Sequence, residues 1–182
     1  MKSRPPIIAM GILVLVVFLS GCTSTTPSNY TTPVVQTFSD GVISFNYPTG
    51  FEVRTQRANI TSEGVGWQDL SYLASKEGVG IDVRKNPTAS SAVIVREGTE
   101  QGVLEASGVI LSTSSEINPT GVVVEKSSSQ QTDPYTNLVM RYYDLFFSVN
   151  GVVYHISVYG EVALDQQIQN TADMIFNSLT LS

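Results

Sequence analysis

Leu138-Val-Met-Arg-Tyr-Tyr-Asp-Leu-Phe-Phe-Ser-Val149 runs into Asn150-Gly151 and then into Val152-Val-Tyr-His-Ile-Ser-Val-Tyr159. Two β-rich runs separated by Asn-Gly predict a hairpin closed by a two-residue type I′ turn. Asn and Gly are the residues that tolerate the positive φ angles that turn needs. A two-residue turn also sets the register. Val149 then faces Val152, Phe147 faces Tyr154, Leu145 faces Ile156 and Tyr143 faces Val158. All eight are apolar or aromatic, so one face of the hairpin is core. On the other face Ser148 pairs with Val153, Phe146 with His155, Asp144 with Ser157, and Tyr142 with Tyr159. That face mixes aromatic and polar groups. It is either half-covered by another element or exposed for binding.

Outward from this hairpin, turn signals cut the chain into short alternating segments. Asp40-Gly41 separates Val34–Phe38 from Val42–Tyr47, and Pro48-Thr49-Gly50 leads into Phe51-Glu52-Val53. Glu77-Gly78 separates Trp67–Ser75 from Val79–Lys85, a pairing expected to set Ala74 opposite Ile81 and Tyr72 opposite Val83. Asn118-Pro119-Thr120-Gly121 separates Val109–Ile117 from Val122–Ser128, and Asp133-Pro134 introduces the last hairpin. Two segments read as helices. Glu161–Leu179 carries Leu164, Ile168, Ala172, Ile175 and Leu179 at helical spacing, with Glu161 and Asp165 in its first turn. Ser91–Ser107 ends before Gly108, a C′ glycine, although Gly98 and Gly102 each cost about 1 kcal/mol against alanine. Strands, a helix, more strands and a final helix define an α+β fold, a central mostly antiparallel sheet flanked by helices.

Two stretches resemble the PsbP family, whose founding members are extrinsic subunits on the lumenal side of photosystem II. Ile43-Ser-Phe-Asn-Tyr-Pro-Thr-Gly-Phe-Glu-Val53 is similar to the family's opening strand, Tyr-Pro turn and Gly-Phe. Tyr154-His155-Ile156 through Ala172-Asp-Met-Ile-Phe-Asn-Ser-Leu179 is similar to its closing strand and helix, with Leu179 where Phe is usual. The resemblance implies a PsbP-like α/β/α sandwich. It implies neither photosynthesis nor any functional residue, because a fold does not determine a function.

The N-terminus speaks of export. Met1 to Arg4 is a short basic region, and Ile7 to Leu19 is almost purely apolar but too short for a span, which needs about 20 residues. Leu19-Ser20-Gly21-Cys22 follows and resembles the lipobox of bacterial-type lipoproteins. That resemblance implies cleavage before Cys22 and a diacylglyceryl group on its thiol, enough for stable anchoring. An uncleaved signal anchor and secretion with a free thiol are the alternatives. Residues 23–33 form a Ser/Thr/Pro tract that cannot bury apolar surface and reads as a spacer. The expected organisation is a signal peptide at 1–21, a lipidated cysteine and linker at 22–33, and one domain at 34–182. The expected site is the outer, extracytoplasmic face of the cell membrane. Asn29-Tyr-Thr31 and Asn59-Ile-Thr61 match the glycosylation triplet.

Composition narrows the function. Lys2 and Arg4 lie in the leader, so of 10 basic residues 8 remain against 16 acidic ones, a net of −8. Such a balance argues against nucleic acid, whose phosphates require a basic face. A single cysteine excludes an internal disulfide and a Cys-rich zinc site. Glu97, Glu100 and Glu105 are spaced as a solvated helix face, not as a calcium cage. Gly78-Val79-Gly80 has no third glycine opening a helix, so it is no nucleotide loop; the expectation is a chain without a cofactor. His155, Asp144 and Ser157 share a face, but Ser157 lies in mid-strand, whereas a triad needs its nucleophile on a strained turn beside an oxyanion hole. Trp67 and the Tyr142/Tyr159 pair are aromatic enough to stack on a sugar or a partner. The expectation is a non-enzymatic accessory or binding module. Its candidate surface is Tyr142, Asp144, Phe146, His155 and Tyr159, and its partners are membrane lipid through the anchor and a protein at the cell surface. A glycan- or ligand-binding protein and a surface hydrolase are the alternatives.

Overall fold

The computed structural model describes residues 34–55 and 66–182, all within one unit, Pro33–Ser182. Cys22, Asn29 and Asn59 lie outside the described residues. Strands β1 (Val35–Ser39), β2 (Ile43–Pro48), β3 (Phe51–Thr55), β4 (Gln68–Ser75) and β5 (Gly80–Asn86) precede helix α1 (Ala92–Glu105). Strands β6 (Val109–Ile117), β7 (Val123–Thr132), β8 (Val139–Val149) and β9 (Val152–Glu161) follow. A 3₁₀ turn then leads to α2 (Asp165–Ser178) and to the short β10 (Thr180–Leu181).

Seven strands form one antiparallel sheet in the order β3-β4-β5-β9-β8-β7-β6. The small sheet β1-β2-β10 packs with α2 on one face. On the other face α1 packs through Ala92 and Val95 against Phe146 and Val153. This is the expected α+β class, with a helix on either side of the sheet. The main core lies on the α2 side, where Leu145, Phe147, Ile156 and Val158 meet Phe45, Ile168 and Ile175.

The β8–β9 hairpin has the register its turn dictates. All eight expected pairs are present, from Val149–Val152 to Tyr142–Tyr159. Asn150 and Gly151 have φ of 50° and 80°, as a type I′ turn requires.

The β4–β5 pairing differs by one residue. Leu73, not Ala74, faces Ile81, and Ser71, not Tyr72, faces Val83. The cause is the loop. Ser75 N–H donates to Val79 O at 2.8 Å, which leaves three residues between them, and the third, Gly78, has φ +97°. A slip of one residue exchanges the faces. Leu73 therefore enters the core, and Tyr72 turns to the α1 side of the sheet.

Helix ends also differ. Glu161 belongs to β9, so α2 begins at Asp165. At the end of α1 the left-handed residue is Ser107 (φ 61°), not Gly108. Gly108 N–H donates to Val103 O at 2.8 Å and Ser107 N–H to Leu104 O at 3.0 Å, the paired bonds of a Schellman end. Gly108 is small for a different reason: an added Cβ would lie 2.6 Å from Val103 Cγ1 and 2.9 Å from Gln130 O.

One buried polar residue ties the far parts of the chain together. Asn118, in the β6–β7 turn, is 3% exposed. Its Nδ2 donates to Phe176 O (3.1 Å) and Leu179 O (2.7 Å), the open carbonyls at the end of α2. Its Oδ1 accepts from Val122 N–H (2.8 Å) and Thr120 N–H (3.1 Å). The Thr120 hydroxyl, with one proton, donates to Leu179 O at 2.6 Å.

Candidate functional site

The strand registers place the mixed face in rows. Phe146 faces His155, which faces Arg84; Ser127, Asp144, Ser157 and Asp82 form the next row; Ser129, Tyr142, Tyr159 and Gly80 the third. α1 lies over the β6–β9 part of this face. Ser91 caps the helix by accepting Ile94 N–H at 3.2 Å. Its inward face is polar as well as apolar, because Arg96 reaches Glu100 at 2.9 Å and Glu125 of β7 at 3.5 Å. Burial pushes the Glu100 carboxyl up, but hydrogen bonds from Thr113, Arg96 and Ser127, with the Arg96 charge, leave it below the usual carboxylate range. Glu100 is thus a partner of the sheet and not part of a solvated face, whereas Glu105 accepts from Gln101 at the surface.

This cover divides the five candidate residues. Phe146 is 0%, Asp144 5% and His155 5% exposed, so these three hold the interior together and present nothing to a partner in this structure. His155 Nε2 donates to Asp144 Oδ1 at 2.8 Å, the carboxylate being acceptor only. The imidazole stacks on Phe146 (centroids 4.4 Å apart, planes 10°) and meets the edge of Trp67 at 5.8 Å. Arg84 in turn lies 5.8 Å over the Trp67 ring. Ser157 is buried within β9, opposite Asp144. Among the described residues no group of three or more His, Cys, Asp or Glu could hold a metal ion.

Tyr142 and Tyr159 keep part of their surface. Their rings stack at 5.6 Å and 24°. Tyr159 lies against Gly80, where an added Cβ would be 2.8 Å from the ring. Burial first, then a hydrogen bond with Tyr72, raises the Tyr159 phenol above its ordinary value. Tyr154, on the core side, is pushed up to about 12 by burial and by the charge of Asp40, to which its hydroxyl donates at 3.3 Å. Tyr143 is raised by burial and by its bond to Asp165.

A phenol whose pKa is higher in the fold than in the unfolded chain stabilises the fold fully below the unfolded value of 10.0. That contribution is lost as pH rises from there through the folded value. Thermal stability is therefore expected to fall between pH 10.0 and about 12, and Tyr154→Phe should make the fall shallower. A wild-type profile flat across this window, read by thermal melts in matched buffers, would contradict the assignment.

A feature not anticipated is a groove of about 280 Å³ on the α2 side, bordered by Ser112, Ser114, Lys126, Tyr143, Gln169 and Asp173. Most of its polar groups pair with near neighbours. Lys126 Nζ donates to Glu116 at 3.2 Å and sits 4.5 Å over the Phe176 ring, Ser112 bonds Ser128, and Tyr143 donates to Asp165.

The architecture defines a PsbP-like fold. The chain superposes on the solution structure of cyanobacterial PsbP (CyanoP) from Synechocystis sp. PCC 6803 with a TM-score of 0.58 and 12% identity, over 82% of this chain and 94% of that one. It is also similar to LpqN of Mycobacterium tuberculosis, described as involved in cell envelope biogenesis (TM-score 0.54, 10% identity, 81% and 91% covered). The Ran-binding protein Mog1p of Saccharomyces cerevisiae is similar too (TM-score 0.54, 8% identity, 81% and 95% covered). No protein-family model and no curated protein sequence matches the chain. At these identities the likeness is one of fold.

Proposed function

We propose that this chain is a membrane-tethered extracytoplasmic lipoprotein whose folded domain is a non-enzymatic accessory or binding module. The carrying observation is Leu19-Ser20-Gly21-Cys22 directly behind an apolar run, with a Ser/Thr/Pro spacer before the described domain begins at Val34. Two structures of the same fold support the reading, LpqN by its involvement in cell envelope biogenesis and Mog1p as a Ran-binding protein. The sheet face beneath α1 supports it as well, since its His–Asp pair is engaged in holding the interior. Within the candidate surface, Tyr142 and Tyr159 are the residues left to meet a partner.

The test is an intact mass of the chain extracted from membranes, together with whatever co-purifies. The expected result is a chain beginning at Cys22, heavier by a diacylglyceryl group, with a stoichiometric protein partner. Cys22→Ser is expected to leave the membrane fraction. An unmodified chain still carrying Met1–Gly21 would replace the lipid anchor by a signal anchor. A chain recovered alone would remove the partner.

A further inference from the structure

The loop between β7 and β8 is built tightly around one carboxylate. Asp133 Oδ1 accepts from Tyr135 N–H (2.9 Å), Thr136 N–H (2.7 Å) and the Thr136 hydroxyl (2.9 Å). The backbone closes the same loop, with Asp133 N–H donating to Leu138 O and Asn137 N–H to Asp133 O, both at 2.9 Å. Asn137 takes the left-handed conformation at φ 59°. This ordered loop holds Tyr135 outward with 95% of its surface exposed, so the ring adds nothing to the core. Leu138, Val139 and Val162 are exposed beside it.

The registers show which end of the sheet this is. Thr132 pairs with Val139, Met140 with Glu161, Tyr159 with Gly80, and Ser75 with Phe51. Two residues before Phe51, Thr49 N–H donates to Val34 O at 3.2 Å. The point where the spacer joins the domain and the Tyr135 loop thus lie at the same end of the domain. Val34 and Val35 are also exposed there.

We propose that the Asp133–Leu138 loop is a lipid-contacting tip that sets Tyr135 at the headgroup level of the membrane to which the chain is tethered. The inference rests on the tethered reading above. Tyrosine suits that depth because its ring is apolar and its hydroxyl wet. Unaided, one tyrosine and a few aliphatic side chains bind a bilayer weakly. A tether makes the contact intramolecular, so that a weak contact is sufficient. Glu77, Asp133, Glu161 and Asp165 at this end outnumber Lys76 and Arg141, and Arg141 already lies 3.5 Å from Asp165. The surface it fits is therefore zwitterionic, not anionic.

The test uses the full chain purified from membranes and reconstituted into phosphatidylcholine vesicles brominated on the upper acyl carbons. Tyr135→Trp and Ile117→Trp are compared, each after subtraction of the Trp67 signal of the unsubstituted chain. Ile117 lies at the opposite end of the sheet and is 70% exposed, so neither change disturbs packing. The expected result is that the Tyr135→Trp chain loses most of its added emission to the bromines while the Ile117→Trp chain keeps its own. If both chains float with the vesicles and neither is quenched, or both equally, the loop inference fails and the tether stands. If the chains do not float with the vesicles, the tether fails and the inference with it.

Discussion

Asn118→Ala is expected to lower stability by about 3 kcal/mol, because it takes the Asn118 donor from Phe176 O, one of two donors from Leu179 O, and the acceptor from the Thr120 and Val122 N–H groups. For a domain of this size that corresponds to a fall in Tm of roughly 6–12 °C. Thr120 keeps its own bond to Leu179 O, so one tie between the turn and the end of α2 survives. Asn118→Asp is the sharper test. It preserves shape and both acceptor interactions but turns the two donor positions toward Phe176 O and Leu179 O into a carboxylate edge. It should be at least as damaging as alanine at neutral pH and recover in part when acid protonates it. Equal stability of Asn118→Asp and wild type in urea titrations would mean that the donated bonds carry no weight.

Asp144→Ala should cost about 3 kcal/mol as well, since it strands His155 beneath α1 with an unpaired nitrogen. Asp144→Asn should cost less, because an amide oxygen still accepts from Nε2. The double change Asp144→Leu with His155→Phe removes both polar partners and should recover much of the loss. Trp67 reports the transition, as its ring lies against the imidazole. A single Asp144→Ala chain as stable as wild type would end the structural assignment of this pair and return it to the list of functional groups.

Legibility in the sequence followed the turns. Asn150-Gly151 admits one turn type, and every pair it implies is present in β8–β9. Lys76-Glu77-Gly78 carries the same kind of signal, but its glycine stands third in a three-residue loop and the register moves by one. Gly108 reads as the left-handed residue of a helix end; the sequence shows a small residue there but not that contact with Val103 and Gln130 demands it. Which of the two readings, cover or exposure, holds for Phe146, Asp144 and His155 is not legible in the sequence, for another reason. The residues α1 turns inward include Arg96 and Glu100, so the helix lacks the apolar stripe that marks a buried face. From sequence Asn118 reads as a turn residue only, because its partners at Phe176 and Leu179 are far away in the chain.

The strand order has a kinetic meaning. Every neighbour in the seven-stranded sheet is also a neighbour in sequence, except β5 and β9. The sheet is two meanders, β3-β4-β5 and β6-β7-β8-β9, zipped along one seam where Ile81 meets Val158 and Val83 meets Ile156. Each meander grows by local hairpins, which close quickly. The seam must bring together strands separated by α1 and three other strands, so its loop-closure entropy dominates the contact order. The molecule should therefore assemble as two cooperative units whose docking sets the folding rate, with the amide protons that bond across the β5–β9 seam exchanging when the halves part.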